Sequence, residues 1–150
     1  MKTLSMLKPG DKLEEAEWRT ITQDAINRFA DATGDHQWIH IDPERCERES
    51  PFGTTIAHGF MTASLMPCAF DNVVAPDPTI AQVINYGLDT LRFLEPVKCN
   101  DAIRFSFVLE EIKEKKLGML YRMKADCINQ RTGNPVLTGQ FLMLAVPKPA

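Results

Sequence analysis

The 150-residue chain has few cysteines, no excess of basic residues and no long apolar run. Its four cysteines form no CxxC pair, which argues against a zinc site and against a disulfide framework. Seventeen basic and 20 acidic residues give a net charge of -3, whereas a nucleic-acid-binding protein normally shows a basic excess. No apolar run approaches the ~20 residues that a membrane-spanning helix needs, and the N-terminus does not resemble a signal peptide. We therefore expect a cytoplasmic protein with reduced cysteines and with neither nucleic acid nor membrane as a partner.

Length and composition are those of one globular unit. Hydrophobic residues make up 44% of the chain and charged residues 25%, which is ordinary for a folded domain. No repeat or low-complexity segment divides the sequence, so we expect residues 1–150 to form a single domain.

The first half carries one clear amphipathic helix. Apolar residues recur at helical spacing in "QDAINRFADATG", residues 23–34. Thr22 is placed to cap its N-terminus, and Gly34 can end it in the left-handed conformation. Asp35 therefore follows directly after a helix end, in a turn that can aim a polar side chain.

The next two segments differ sharply in polarity. Residues 41–55 are polar and contain two prolines, which predicts a loop with one helical turn around Pro43 to Cys46. Residues 56–74, "IAHGFMTASLMPCAFDNVV", are apolar on nearly every side, which predicts a helix buried all round. Pro67 is expected to kink or end that helix because it removes a backbone hydrogen bond.

The second half has the pattern of a sheet. Its segments are rich in β-branched and aromatic residues, and they are separated by turn signals at "KEKKLG" and "NQRTGNP". We predict an antiparallel meander of three or four long strands, with a further short strand at 17–22. The stretch "IRFSFVLE" alternates, which places Ile103, Phe105, Phe107 and Leu109 on one face. Laying the apolar helix across that face gives an α+β fold, a sheet wrapped around a central helix.

The segment "TGDHQWIHIDP", residues 33–43, concentrates groups capable of proton transfer. Asp35 and His40 are the candidate catalytic pair, because a carboxylate and an imidazole can hold one water and move its protons near neutral pH. The alternative is structural, since an aspartate there can also fix its own loop or cap the preceding turn.

A second element is "IAHGF", at the start of the apolar helix. The amide of Gly59 lies where helix N–H groups lack partners, so it could stabilise a carbonyl oxygen that gains negative charge. The alternative is that Gly59 serves only close helix–sheet packing. His58 is grouped with Gly59 as a candidate oxyanion or substrate-binding residue, although we expect it to be a packing or capping residue, or a partner of the catalytic pair.

Three further residues are candidates for substrate binding. Gln37 and Trp38 could shape the mouth of a pocket, although a tryptophan here could simply be packed. Asn85 interrupts an apolar strand, and a buried asparagine needs partners, so it could bond the loop that carries the site. His36 is expected to be exposed and to take no part.

The stretch from about Phe29 to Val97, with "GDHQWIHIDP", "IAHGF" and "INYGLDTLRFLEPV", resembles the MaoC-like (R)-specific enoyl-CoA hydratases. The closest resemblance is to the nodulation-protein-N-like branch of this hot-dog superfamily. Where the broader family has Asn-Pro, this chain has Gln37 and Trp38. Pro67 falls near a position where some members have a serine.

The resemblance implies a hot-dog fold, an antiparallel sheet around a long central helix. It implies that Asp35 and His40 hold the water and that the amide of Gly59 binds the thioester oxygen. The expected reaction is reversible addition of water to trans-2-enoyl thioesters to give (3R)-3-hydroxyacyl thioesters, without a metal or other cofactor. A homodimer or higher homo-oligomer is implied, with an acyl-CoA or acyl-carrier thioester as substrate.

Two other functions stay open at this point. A hot-dog acyl-CoA thioesterase would hydrolyse the same class of thioester. A non-catalytic acyl-thioester-binding subunit would keep the fold without turnover, although both Asp35 and His40 are present.

Overall fold

The computed structural model describes all of residues 1–150, which form one five-stranded sheet and five short helices. A single 3-10 turn at Leu4–Met6 precedes them. The regular elements, in chain order, are β1 (Arg19–Thr20), α1 (Gln23–Thr33), α2 (Trp38–Ile41), α3 (Pro43–Glu49), α4 (Gly59–Ser64), α5 (Met66–Asp71), β2 (Ile80–Phe93), β3 (Ala102–Lys115), β4 (Gly118–Asn129) and β5 (Pro135–Pro147). No helix is both long and apolar enough to cross a membrane.

The strands are antiparallel and lie in the order β1-β3-β4-β5-β2. The predicted meander is confirmed for β3, β4 and β5, but β2 pairs with β5 at the far edge rather than with β3, its neighbour in the sequence. The predicted strand at 17–22 is shorter than expected, with Arg19 and Thr20 pairing with Ile103 and Ala102.

The inward face of the sheet is apolar, as the alternation predicts. Ile103, Phe105, Phe107 and Leu109 of β3 are between 0% and 3% exposed. The buried side chains of β4 and β5 join them in one core with those of α4 and α5. Phe70 of α5 meets Phe107 edge to face, with ring centroids 5.5 Å apart, a preferred aromatic geometry.

Helix α1 begins and ends where the sequence predicts. The hydroxyl of Thr22 accepts a hydrogen bond from the amide of Ala25 at 3.1 Å. Gly34 ends the helix with a φ of 79°, a left-handed conformation that glycine adopts without steric cost. Asp35 is thus the first residue beyond the cap.

The segment after Asp35 is more helical than expected. Residues 38–41 form α2, and the predicted loop at 41–55 contains α3, which extends from Pro43 to Glu49. The side chain of Asp42 accepts from the amide of Arg45 at 3.0 Å, and Pro43 occupies the first turn of α3. Asp42 and Pro43 are a capping residue and a first-turn proline, so the signal for a full helix was present.

The predicted central helix is interrupted. It consists of α4 and α5 with Leu65 between them, and Pro67 stands in the first turn of α5, where a missing N–H breaks no helical bond. The expectation that it is buried on all sides is wrong for the single chain, because Phe60 is 68% exposed. Phe60 contacts only one aromatic ring, that of Phe93 on β2, with centroids 5.6 Å apart.

Candidate active site

Asp35 lies in a short connection between α1 and α2 and presents its carboxylate to solvent. Its side chain is 53% exposed. One carboxylate oxygen accepts a long hydrogen bond, of 3.3 Å, from the amide of Gln37. Its own amide bonds the hydroxyl of Thr33 at 3.4 Å. The carboxylate therefore keeps an oxygen that no backbone group engages.

His40 lies on α2 and is only 6% exposed. Its Nδ1 is 2.7 Å from the carbonyl oxygen of Ile56. A carbonyl oxygen only accepts, so Nδ1 carries the proton and Nε2 presents a lone pair. The residue is anchored a second time, because the side chain of Gln23 donates to the His40 carbonyl at 2.7 Å and accepts from the hydroxyl of Thr55.

The environment of His40 favours the neutral imidazole. Burial lowers the pKa of His40 below its usual value, and the bond to the Ile56 carbonyl opposes that change. The neighbouring His58 lowers the pKa further, and the charge of Asp35 raises it. The net lowering leaves Nε2 able to accept a proton at neutral pH, as a general base must.

His58 joins Asp35 and His40 in one cluster. Its ring stacks on that of His40, with centroids 3.8 Å apart and planes inclined by 23°. Its Nε2 lies 2.9 Å from the carbonyl oxygen of Asp35 and 3.9 Å from a carboxylate oxygen of the same residue. His58 precedes α4, but its side chain makes no capping hydrogen bond. Of the expected roles, capping is therefore wrong, whereas packing and contact with the catalytic pair are what the structure shows.

The cluster suits acid–base chemistry better than metal binding. One nitrogen or carboxylate oxygen from each of Asp35, His40 and His58 lies within 4.8 Å of the others. However, the lone pair of a ring nitrogen lies in the plane of its ring, and two nearly parallel stacked rings cannot both aim at one ion. A backbone carbonyl also engages one nitrogen of each ring.

A cleft of about 260 Å³ opens beside His40 and Gly59. The cleft is bounded by α2, the start of α4, the end of β2 with the connection that follows it, and the start of β5. The residues that line it are His40, Ile56, Ala57, Gly59, Thr62, Phe93, Leu94, Glu95, Pro96, Val97 and Val136. A larger cavity, of about 570 Å³, lies near the start of β2, but no histidine lines it. The cluster reaches this cleft through His40, whereas Asp35 and His58 do not line it.

Gly59 supports both interpretations drawn from the sequence. Its N–H is the first of α4 and donates to no protein acceptor, so it is free for a ligand in the cleft. A Cβ at this position would lie 2.8 Å from Cε2 of Phe93, so close packing also requires a glycine.

The other predicted binding residues lie away from the cleft wall. Gln37 is exposed, and half-buried Trp38 packs against Arg45, whose guanidinium carbon is 4.1 Å from the ring centroid. Their part in substrate binding stays a prediction. The prediction of a buried Asn85 is wrong for the single chain, because it is exposed on β2 and makes no side-chain hydrogen bond. His36 is exposed as expected, and it bonds Asp31 at 3.0 Å.

Sequence reasoning singled out only His40 and Gly59 among the eleven residues that line the cleft, and it missed Thr62, Phe93 and Val136 among others. Thr62 is 3% exposed, and its hydroxyl has no hydrogen-bond partner in the protein. It lies three residues after Gly59, which places both on one helix face, so helical spacing could have found it. Phe93 and Val136 reach the cleft through the pairing of β2 with β5, which no local signal indicates.

Comparison with known proteins shows which family this sequence matches. Residues 5–129 match the family model described as the MaoC-like domain. Nodulation protein N of Rhizobium leguminosarum bv. viciae is 41% identical over 138 residues, which cover 90% of this chain and 84% of the relative. The 3-hydroxyacyl-thioester dehydratase Z of Mycobacterium tuberculosis is 47% identical over 105 residues, which cover 70% of this chain and 68% of the relative.

A solved structure gives the same result for the fold. The R-hydratase PhaJ1 of Pseudomonas aeruginosa superposes with a TM-score of 0.77 at 29% identity, over 96% of this chain and 85% of that one. The predicted hot-dog fold is confirmed by this similarity.

Proposed function

Because the chain belongs to the MaoC-like family, we propose that it is a hydro-lyase that adds water reversibly to trans-2-enoyl thioesters. The product would be a (3R)-3-hydroxyacyl thioester, with the stereochemistry assigned by analogy to its R-hydratase neighbour. The observation that carries the proposal is the buried imidazole of His40: a ring nitrogen lies within 4.8 Å of an Asp35 carboxylate oxygen, Nδ1 is engaged by the Ile56 carbonyl, and the residue lines the cleft.

The proposed reaction uses the groups as the geometry presents them. Asp35 and His40 hold and polarise one water, whose oxygen forms the bond to C3 of the substrate. Electrons move from the double bond towards the thioester oxygen, and the free N–H of Gly59 stabilises the negative charge there. As the oxygen bonds to C3, one O–H bond of the water breaks and its proton passes to the Asp35–His40 pair, which then delivers a proton to C2. Elimination of water follows the same steps in reverse.

Neither the oxyanion donor, the N–H of Gly59, nor the acid–base pair, Asp35 and His40, suffices alone. One oxyanion donor is worth about 2.7–4 kcal/mol in comparable enzymes, and a positioned acid–base group contributes about 10²–10⁴-fold in rate. The proposed chemistry needs no metal or redox cofactor, because the carboxylate and the imidazole transfer every proton. The names of two relatives, a thioester dehydratase and an R-hydratase, support a thioester substrate.

The test is hydration of crotonyl-CoA, and separately of a longer enoyl-CoA, followed by loss of the conjugated enoyl absorbance. Asp35→Asn is the diagnostic variant, since its amide oxygen can still accept from Gln37. Asp31→Asn is the matched control, an exposed aspartate of α1 that pairs with His36 instead.

Wild-type and Asp31→Asn proteins should convert the substrate, and Asp35→Asn should not. Release of free thiol instead of hydration would assign a thioesterase. Tight binding of CoA without turnover would assign a binding subunit. Either result would overturn the proposal.

We also propose that the protein is a homodimer paired through β2. This edge strand of 14 residues is exposed along almost its whole length, including large apolar side chains such as Ile84, Tyr86 and Leu88. An exposed, apolar edge strand is a template for pairing, and a two-fold axis would let two copies pair with the same surface. Phe93, which lines the cleft, lies at the end of this strand.

Sedimentation velocity tests the dimer. Leu88→Glu should shift the protein to monomer, because a carboxylate would lie in the interface. Leu117→Glu is the matched control, a leucine that is 65% exposed at the β3–β4 turn, and it should leave the mass unchanged. A monomeric wild-type protein would contradict the proposal.

All four cysteines are free, which supports a reducing cytoplasmic location.

A further inference from the structure

The ring of His58 lies where three parts of the chain meet. It packs between Phe29 of α1, at a centroid distance of 4.9 Å, and His40 of α2, at 3.8 Å. Its own backbone leads directly into Gly59 and α4. Its side chain is 4% exposed and does not line the cleft. His58 is therefore placed to hold the catalytic residues in position and not to touch the substrate.

Hydrogen bonding fixes the proton on this ring. Nε2 faces the carbonyl oxygen of Asp35 at 2.9 Å, so Nε2 is the donor and Nδ1 carries the lone pair. That Nδ1 is fully buried and has no hydrogen-bond partner. An unsatisfied buried acceptor costs stability, and an apolar ring of similar size would avoid that cost. Stability alone does not account for a histidine here.

The loop of Asp35 has few other restraints. It follows a left-handed glycine, and its remaining hydrogen bonds, to Thr33 and Gln37, are long at 3.4 Å and 3.3 Å. The bond from His58 is the shortest that holds this residue. Without it, the carboxylate would lose its fixed distance from the Nε2 of His40.

We propose that His58 is the positioning residue of this site: one imidazole holds Asp35 by a hydrogen bond, His40 by stacking and Gly59 through the backbone. The proposal rests on the hydratase function in that its kinetic test uses the same reaction. His58 is not a third acid–base group, because its one free nitrogen is sealed away from the cleft.

Two variants separate the contacts of the ring. His58→Phe keeps the stack and removes the donor, whereas His58→Gln keeps a donor near the position of Nε2 and removes the stack. A displacement of about 1 Å at a catalytic group can cost about 10²-fold, so we expect His58→Phe to lower kcat by about that factor. His58→Gln should recover part of the loss. KM should change little, because the ring does not touch the substrate.

A double-mutant cycle with Asp35→Asn identifies the route of the effect. If His58 acts through Asp35, adding His58→Phe to Asp35→Asn should cost little more than Asp35→Asn alone. Full additivity of the two losses, or wild-type kcat in folded His58→Phe, would overturn the proposal.

An NMR measurement needs no substrate and keeps this inference separate from the proposed function. The chain has three histidines, so their ring ¹⁵N signals can be assigned by single substitutions. His58 should carry its proton on Nε2 and His40 on Nδ1. The backbone amides of residues 35–37 should shift in His58→Phe and stay nearer to wild type in His58→Gln. Unchanged amides in His58→Phe would overturn the positioning role, even if the wild-type enzyme hydrates enoyl thioesters. Failure of hydration with shifted amides would overturn only the proposed function.

Discussion

The sheet and the segment 40–62 face one core, but they bury different kinds of side chain. Six polar residues of the protein are buried, and four of them, His40, Thr55, His58 and Thr62, lie in that segment. The inward faces of β3, β4 and β5 are apolar except for Asn129, at the last position of β4. A buried polar group is costly unless it is hydrogen-bonded. We therefore assign stability mainly to the apolar face of the sheet and chemistry to the segment 40–62.

The strongest test of this division is His40→Asn. The asparagine amide can still donate to the Ile56 carbonyl, but no lone pair replaces Nε2. We expect kcat to fall by about 10²–10⁴-fold, the contribution of a positioned acid–base group, with little change in melting temperature. Steady-state kinetics and thermal unfolding measure the two quantities. Near-normal turnover in the folded variant would show that His40 is only a structural residue.

For Phe107→Ala we expect the opposite, a large loss of stability with little loss of activity. Phe107 is 0% exposed, and truncating a buried phenylalanine typically costs about 3–5 kcal/mol. The free energy of unfolding, measured in denaturant, should fall by that amount, while kcat per folded molecule stays close to wild type. Phe60→Ala, at an exposed position of α4, is the control and should change stability little. A large loss of kcat in folded Phe107→Ala would break the division.

Gly59→Ala tests the boundary between the two regions. The added methyl would force the ring of Phe93 to move, and that ring is 46% exposed and lines the cleft. Because this exposed ring can move, we expect only a small loss of stability, and a fall in kcat/KM because the displaced ring changes the cleft wall. Phe93→Ala in the same chain removes the clash and should restore part of the activity. Phe93→Ala alone is the control for loss of that ring from the cleft wall, and a double variant no more active than Gly59→Ala would show that the clash with Phe93 is not the cause.

The smallest effect is expected from pH. The pKa of His40 is lowered from 6.5, first by burial, so the unfolded chain binds a proton there more readily than the folded one. His40 is neutral in both states well above pH 6.5, and its contribution to stability is lost as pH falls from 6.5, where the unfolded chain takes up the proton first, through the lower folded pKa. Activity should decline on the same acidic side, because protonation removes the Nε2 lone pair.

Denaturant unfolding at a series of pH values measures this contribution. The bond from His36 to Asp31 raises the pKa of His36, and this works in the opposite direction. The comparison is therefore sharpest in a His36→Asn background, where His40→Asn should flatten the remaining dependence. If the free energy of unfolding changed with pH as steeply in His40→Asn as without it, the pH dependence could not be assigned to His40.

Local signals predicted the elements whose ends are set by neighbouring residues. The capping by Thr22, the stop at Gly34 and the buried face from Ile103 to Leu109 all depend on contacts within one turn or one pleat, and all are confirmed. The position of Asp35 just beyond a helix end followed from them. Residue type and spacing made Asp35 and His40 candidates, but only the resemblance to the MaoC-like hydratases assigned them the catalytic role, which stays a prediction.

The remainder depends on contacts between distant parts of the chain. Nothing near β2 indicates that it pairs with β5, about 50 residues later, so neither the exposure of Asn85 nor the place of Phe93 in the cleft could be predicted. The stacking of His58 on His40 joins residues 18 positions apart through the packing of α2 against the start of α4. A single sequence contains these side chains without showing that they meet.

The strand β2 departs from regular pairing with β5 at three places, between Ile80 and Gln82, Asn85 and Gly87, and Leu88 and Thr90. Each bulge bends a strand and increases its twist. A long, flat, apolar edge could recruit successive chains into fibrils, whereas a coiled edge accepts only a strand of matching curvature. We therefore expect the irregular β2 to resist amyloid-like growth while leaving its edge open to a strand of matching curvature.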